Sequence, residues 1–334
     1  MSVTISEILR GVEVGRMQAV GNMQIIPLLS DMVHEGFSTP DELEVGTSNY
    51  GTIEFNNRSD KEVIIPCHAG YIVKQAAQDH AMTHAGFVSK KQRKSYSTAA
   101  CIQETQGGTI SRGQHEMLIL PYSLREVALK SRSGNSYSKL WDSIRSFNKQ
   151  YQISGNAHLS YFFNEFEKEL DSFVAQFEIV PRQVGAIVLI NGEVVGIERV
   201  PSYEFWKSVW KPLIRECYGS LSIYEAKNST FDPSEIKTPL KNRHRSLEAL
   251  AADVEMTQVK DEAKAKSIVR KFLQDPFTET VEENTNDCSI VTLEHEQFVG
   301  QCVKRGMEVV YSSLISTSTY KENKNWLEAE PFTI

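Results

Sequence analysis

The stretch that decides the fold is VGAIVLINGEVVGIERV, residues 184–200, in which two apolar arms flank Asn191 and Gly192. An Asn-Gly pair favours the positive φ angles of a type I′ turn, so the arms predict an antiparallel β-hairpin. Ser202 can then cap a helix, because its hydroxyl can accept a hydrogen bond from the first helical turn. Gly219 is predicted to end that helix, since glycine is common just beyond a helix C-terminus.

The region before this hairpin is predicted to be helical. Apolar residues at helical spacing form one stripe from 159 to 177, and a similar pattern spans 137–147. Pro121 can open an earlier helix, because its missing N–H falls at a position without an intrahelical partner. These stripes indicate amphipathic helices that pack against the predicted strands.

The N-terminal third is predicted to be rich in strands. Residues 23–29 form an apolar run typical of a buried strand, and residues 52–68 predict a hairpin with Asn, Ser and Asp in its turn. Two further strands are predicted at 96–102 and 117–120.

The last third begins with a predicted surface connection at 225–246 and a long exposed helix, rich in Ala, Glu and Lys, at 246–273. The stretch 278–289 is predicted to be a loop. Residues 290–303 and 309–315, joined near Arg305 and Gly306, are predicted to be closing strands.

Together these elements predict an α+β fold with a strand-rich N-terminal half, antiparallel hairpins packed on amphipathic helices, and closing C-terminal strands. We expect a main domain over 1–224. Residues 225–287 would form a surface connection and exposed helix, and 288–334 would supply strands that complete the main domain.

Composition narrows the class of protein. The chain has 334 residues, 40% of them hydrophobic, and a net charge of -7, which argues against general nucleic-acid binding. No apolar run reaches the ~20 residues that span a bilayer, and the start lacks the pattern of a secretory signal. The five cysteines are widely spaced, which is typical of reduced thiols, so we expect a cytoplasmic location and no membrane partner.

The sequence lacks the familiar signatures GxGxxG, GxxxxGK[ST], GxSxG and HExxH. Its densest polar segment, residues 67–84, contains His80 and His84, which would share one face of a helix at a spacing that suits a divalent metal. The alternative is that they lie on a partly buried turn and bond to backbone. We therefore assign no metal site, but we count Asp79 and His80 among the candidate catalytic residues.

A second polar segment, residues 100–108, follows a strand-like run. Glu104 can act as a general base or accept hydrogen bonds from a ribose, and an exposed turn is the alternative. Cys101 can be a nucleophile or an inert core thiol. The basic run KKQRK, residues 90–94, can contact phosphates or be a solvated loop.

Four segments of the chain resemble, in the same order, segments of a known family, the ADP-ribosylglycohydrolase- and rhodanese-phosphatase-superfamily-associated protein domain. The segments are GNMQIIPL, YIVKQAAQ, CIQETQGG and residues 184–214. The resemblance spans residues 1 to about 220. It reaches Lys74, Gln75, Cys101 and Glu104, and it implies a link to NAD and ADP-ribose metabolism.

We therefore expect a protein that binds or processes an ADP-ribose-like or nucleotide ligand. Lys74 would contact phosphate, and Gln75, Gln78 and Gln103 would orient the ligand. Glu104 or Asp79 would accept a proton. Whether the chain is an enzyme stays open, and no cofactor is assigned. The alternative is a non-enzymatic structural or self-assembling interaction protein, for which a phage origin is one option, and a homo-oligomer is expected in either case.

Overall fold

The computed structural model describes residues 2–46, 49–73, 79–104, 115–153, 156–228, 246–270, 276–285 and 287–317. Within these ranges no helix combines the length and the apolar character needed to cross a membrane.

The first part of the chain is built mainly of short strands. In order, its elements are α1 Ile5–Ile8, β1 Glu13–Val14, β2 Gln18–Val20, β3 Met23–Leu29, β4 Phe37–Ser38, β5 Leu43–Gly46, β6 Ile53–Asn57, β7 Glu62–Ile65, β8 Ala69–Val73, β9 His80–Ala81, β10 Gly86–Val88, β11 Arg93–Tyr96, β12 Ala100–Cys101 and β13 His115–Ile119.

Helices and the central hairpin follow. They are α2 Tyr122–Lys130, α3 Trp141–Gln150, α4 Leu159–Glu165, α5 Glu167–Val174, β14 Gln183–Ile190, β15 Glu193–Arg199, α6 Tyr203–Lys211, a π-helical segment Pro212–Tyr218, α7 Gly219–Asn228 and α8 Leu247–Arg270. The last strands are β16 Thr278–Asn284, β17 Cys288–Glu294, β18 Phe298–Arg305 and β19 Glu308–Ser316.

One large antiparallel sheet organises the fold. Its strand order is β1-β3-β14-β15-β19-β18-β17-β16, and β2 also pairs with β3. The hairpin predicted around Asn191 and Gly192 is confirmed as β14 and β15, and both turn residues have positive φ angles, 53° and 79°. Three smaller sheets have the orders β10-β7-β4, β11-β6-β5 and β12-β9-β8-β13.

Both faces of the central sheet are covered. Successive side chains of a strand point to opposite faces, so Val188 and Ile190 join one apolar cluster, whereas Ile187 and Leu189 join another. The first cluster contains residues of the small sheets and α6, and the second contains residues of α1 and α8. This double burial explains why β14 has a continuous apolar sequence instead of an alternating one.

The predicted α+β class is confirmed, and so are several of its elements. β3 occupies the bounds predicted for it, and the Ser202 hydroxyl accepts a hydrogen bond from the N–H of Phe205 at 3.2 Å at the start of α6. The long helix predicted after residue 246 is α8.

Two strand predictions in the N-terminal part are wrong in detail. β6 and β7 do not form a hairpin, because β6 pairs with β5 and β11, while β7 pairs with β4 and β10. The side-chain amide of Asn57 at the end of β6 donates to the carbonyl oxygens of Lys61 and Val88, at 2.8 and 3.1 Å, which turns the chain into a different sheet. The strand predicted at 96–102 is interrupted, since β11 ends at Tyr96 and β12 begins at Ala100.

Four predictions in the later part also need correction. The helix predicted at 159–177 bends at Phe166, whose ring packs 5.1 Å from that of Phe162, and so forms α4 and α5. Gly219 does not end a helix: its backbone is helical, and a Cβ there would lie 3.2 Å from Leu170, so glycine permits close packing on α5.

The predicted loop at 278–289 contains the edge strand β16, whose polar side chains are mostly exposed. The stretch predicted as one strand at 290–303 belongs to two, β17 and β18. The junction at Arg305 and Gly306 is confirmed as the turn between β18 and β19, with Gly306 at a φ of 60°.

Candidate functional site

Two segments singled out in the sequence meet at one end of the sheet formed by β12, β9, β8 and β13. His80 in β9 is the register partner of Cys101 in β12 and of Tyr71 in β8. The carbonyl oxygen of Asp79 accepts a hydrogen bond from the N–H of Ile102 at 3.0 Å. The name strand-end cluster is used below for Asp79, His80, Cys101, Gln103 and Glu104.

His80 and Cys101 form the buried floor of this cluster. The Nε2 atom of His80 lies 3.2 Å from the sulfur of Cys101 and accepts a hydrogen bond from the N–H of Gly51 at 2.9 Å. An Nε2 that accepts carries no proton, so this geometry assigns the proton of a neutral ring to Nδ1. Burial raises the pKa of Cys101 to about 11. The thiol is therefore protonated at neutral pH, which favours the inert interpretation of this cysteine.

Glu104 is the most accessible carboxylate of the cluster, with 27% of its side chain exposed. Its Oε2 accepts a hydrogen bond from the N–H of Ala157 at 3.0 Å and lies 2.9 Å from Nη1 of Arg145. The backbone hydrogen bond from Ala157, and then Arg145, lower the pKa of Glu104. Glu104 is thus ionised at neutral pH and is a weak base, which suits it to hold a cation or accept a hydroxyl hydrogen bond.

The other two members of the cluster differ in exposure. Asp79 is buried, whereas Gln103 is half-buried beside Glu104. Ligand-binding residues Lys74, Gln75 and Gln78, predicted from the sequence, lie outside the described residues.

Exposed aromatic rings lie beside the strand-end cluster. Tyr50 and Tyr137 are 52% and 41% exposed, and their ring centroids are 5.1 Å apart. The ring of Trp141, which is half-buried, packs 5.6 Å from that of Tyr137. The carbonyl of Tyr137 accepts a hydrogen bond from the N–H of Cys101 at 2.7 Å, which attaches these rings to the cluster. We call Tyr50, Tyr137 and Trp141 the aromatic ledge.

The aromatic ledge and Arg145 were not assigned to a site from the sequence. Tyr137 and Trp141 fit the helical apolar pattern predicted at 137–147, but α3 begins only at Trp141. Tyr137 precedes the helix and remains exposed. Trp141 and Arg145 are four residues apart on α3. This spacing places two side chains on the same face of a helix, and it is the feature of the sequence that could have predicted that they lie together.

His80 and His84 do not share a helix face, because His80 belongs to β9. His84 has Nδ1 at 2.6 Å from the carbonyl oxygen of Ala85 and Nε2 at 3.0 Å from the hydroxyl of Thr98. In the part of the chain that the structure describes, no three His, Cys, Asp or Glu side chains group in a way that could hold a metal ion.

The basic run at 90–94 leads into β11, which belongs to a different small sheet from the strand-end cluster. Lys94 forms an ion pair with Glu283, and Lys91 lies 3.2 Å from Asp60. Arg93 is exposed. Two of the four basic residues of the run thus contact acidic side chains of the same chain.

A buried polar network, missed in the sequence, lies at the opposite end of β8. Arg125 is 1% exposed and contacts Oε1 of Glu198 through Nη1 at 2.9 Å. Its Nε donates to Nδ1 of His68 at 3.1 Å, and its Nη2 contacts the hydroxyl of Ser313. The hydroxyl of Tyr218 donates to the same Oε1 of Glu198 at 2.6 Å.

The network is best understood as structural. Burial, and then the charge of Arg125, hold the pKa of His68 well below its usual value, so the ring is neutral and accepts from the guanidinium. The thiol of the neighbouring Cys67 has its pKa raised to about 12 by burial. Neither group is poised for nucleophilic or acid–base chemistry at neutral pH.

The fold and these contacts define an α+β protein whose accessible polar groups converge beside exposed aromatic rings at the end of a small sheet. The chain belongs to the family described as the ARG and Rhodanese-Phosphatase-superfamily-associated Protein domain, whose model matches residues 11–314. This confirms the family resemblance found in the sequence. Searches of curated proteins and of solved structures found no match.

Proposed function

We propose that the strand-end cluster and the aromatic ledge together bind an ADP-ribose-like or other nucleotide ligand. The observation that carries this proposal is the exposed tyrosine pair, Tyr50 and Tyr137, beside the accessible ion pair of Glu104 and Arg145. Exposed aromatic faces stack on bases, and guanidinium groups recognise phosphate. The family's association with ARG, named in its description, supports the same ligand class.

In this proposal the adenine stacks on the tyrosine pair, and Arg145 contacts the phosphates. Asp142 and Glu104 hold the guanidinium of Arg145 in place, at 2.6 and 2.9 Å, and 40% of its side chain stays exposed, so N–H groups not used in these contacts can reach a phosphate. Glu104 positions Arg145 and can accept a hydrogen bond from a ribose hydroxyl. Lys74, Gln75, Gln78 and Gln103 would add the remaining polar contacts.

Binding of the nucleotide ligand is better supported than its enzymatic conversion. A general base works best when its pKa lies near the working pH, and the pKa of Glu104 is lowered. Asp79 and His80, the other candidate catalytic residues, are buried. An assay that follows ADP-ribose for product release would decide the matter, since a Glu104→Gln variant with full turnover would remove Glu104 from the mechanism.

Isothermal titration calorimetry with ADP-ribose tests the binding site. We expect Tyr137→Ala to weaken binding by roughly 5- to 150-fold, because stacking a base on an aromatic ring contributes ~1–3 kcal/mol. A matched control is Tyr203→Ala on α6, which removes a half-buried tyrosine in contact with Lys207. Equal weakening by both substitutions, or no binding by the unmodified chain, would contradict the proposal.

The alternative function is that of a non-enzymatic self-assembling interaction protein. One observation favours it: the helix α8 carries two large apolar side chains, Met256 and Val259, that are exposed. Self-assembly through α8 and ligand binding at the strand-end cluster do not exclude each other, because they use different residues.

A further inference from the structure

The helix α8, Leu247–Arg270, is packed on one side only. Ala265, Ile268 and Val269 near its C-terminal end are buried in the apolar cluster that covers one face of the central sheet. Asp253, Thr257 and Asp261 continue the inward side toward the N-terminal end. The opposite side of the helix is therefore turned away from the rest of the chain.

The outer side of α8 carries an exposed apolar seam. Met256 and Val259 are 51% and 62% exposed, which is unusual for large apolar side chains on adjacent helical turns. The exposed alanines Ala249, Ala252 and Ala263 extend the seam in both directions. From 249 to 263 the intervals are three, four, three and four residues, which is the a/d spacing of a coiled coil.

We propose that this seam binds a second copy of the chain as a parallel, in-register two-stranded coiled coil. In heptad terms, Ala249, Met256 and Ala263 occupy a positions, and Ala252 and Val259 occupy d positions. The length of the seam, about two heptads, predicts an interface that forms and separates with protein concentration.

The charges beside the seam indicate that its partner is the α8 helix of a second copy, in parallel orientation. Glu255 occupies a g position and Lys260 the following e position, and both are exposed. In a parallel pair these positions face each other, so Glu255 of each copy would meet Lys260 of the other. The preceding g–e pair, Glu248 with Asp253, would bring like charges together, but Asp253 is buried on the inward side of α8. The two-fold symmetry of the pair makes this contact twice.

The same charges disfavour an antiparallel arrangement. Glu248, Glu255 and Glu262 all occupy g positions, and in an antiparallel pair g residues face g residues. Such a pair would bring like charges together along one flank. The charges that flank the seam therefore favour the parallel arrangement of two identical helices over the antiparallel one.

Sedimentation velocity from about 1 to 100 µM tests the surface. We expect the unmodified chain to shift from monomer to dimer as its concentration rises, and Met256→Glu to weaken dimerisation at least tenfold. Val281→Glu is the control, because it places the same charge at another exposed apolar residue, 54% exposed, on β16. A monomer at every concentration, or a Met256→Glu protein that dimerises as before, would overturn the proposal.

Charge reversal tests the orientation. We expect Glu255→Lys to weaken the dimer by setting it against Lys260, and the double variant Glu255→Lys/Lys260→Glu to restore it. An antiparallel pair predicts no such loss, since residue 255 would then face either Glu262, which a lysine attracts, or residue 255 of the other copy, where one like-charge contact replaces another. Circular dichroism of each variant checks that α8 is retained.

Discussion

Glu216 illustrates how strongly burial acts on single residues of this chain. It lies in the π-helical segment, is 4% exposed, and has Oε1 at 3.2 Å from Nη1 of Arg215. Burial outweighs the attraction of Arg215 and raises the pKa of Glu216 to about 8. The folded protein therefore keeps this carboxyl protonated at a pH where the unfolded chain has already lost the proton.

This pKa predicts how stability depends on pH. Between the unfolded pKa of 4.5 and the folded pKa of about 8, the folded state binds more protons, so the free energy of unfolding falls as pH rises. One such group contributes a slope of at most about 1.4 kcal/mol per pH unit. We expect Glu216→Gln, which mimics the protonated form, to be more stable than the unmodified chain at pH 8 and nearly equal to it at pH 4.5.

Urea denaturation at several pH values measures this difference. The control is Glu204→Gln, which removes an exposed carboxylate from its pair with Lys207. If the free energy of unfolding changes with pH in the same way for Glu216→Gln and for the unmodified chain, Glu216 ionises normally in the folded state and the prediction is wrong.

At the scale of elements, the network around Arg125 joins parts of the chain that are distant in sequence. Arg125 lies in α2, Glu198 in β15 and Ser313 in β19, and His68 directly precedes β8. The sequence separations of these contacts are 57, 73 and 188 residues. One guanidinium thus fixes the small sheet that carries the strand-end cluster against the central sheet.

We expect Arg125→Leu to destabilise the protein by about 3–5 kcal/mol, because it leaves the charge of Glu198 buried without its partner. The double variant Arg125→Leu/Glu198→Gln should recover much of this loss, since a neutral amide can still accept the hydroxyl hydrogen bond of Tyr218. Chemical denaturation of the single and double variants measures both values. A double variant no more stable than Arg125→Leu would show that the loss comes from packing and not from charge.

Local elements could be predicted from the sequence, and long-range pairings could not. The hairpin at Asn191 and Gly192 was predictable because the turn itself requires positive φ angles. The pairing of β6 and β7 with other strands depends on contacts of Asn57 with residues around Val88, which no local pattern records. β16 was missed for a similar reason, as its polar sequence is that of a loop until β17 pairs with it.

The candidate site was predictable only in part. The polar segments 67–84 and 100–108 predict Asp79, His80, Gln103 and Glu104 as site residues, and the structure places the two segments side by side. Arg145 and the aromatic ledge come from a different region of the chain. Their approach to Glu104 depends on how α3 packs, which sequence spacing alone does not determine.

At the scale of the whole molecule, a central sheet with both faces covered supports two separate surfaces. The strand-end cluster and the aromatic ledge belong to the side of the small sheets, whereas α8 covers the other face. A protein built this way can bind a ligand and a second copy of itself through different residues. We expect Met256→Glu to leave the affinity for ADP-ribose unchanged.

Hydrogen–deuterium exchange with and without saturating ADP-ribose tests the central claim most directly. We predict slower exchange on ligand addition in the backbone around Gly51, at 101–104 and at 137–145, with α8 unaffected at constant protein concentration. Protection confined to other parts of the chain, or unchanged exchange throughout, would contradict the claim that these segments form one nucleotide-binding surface.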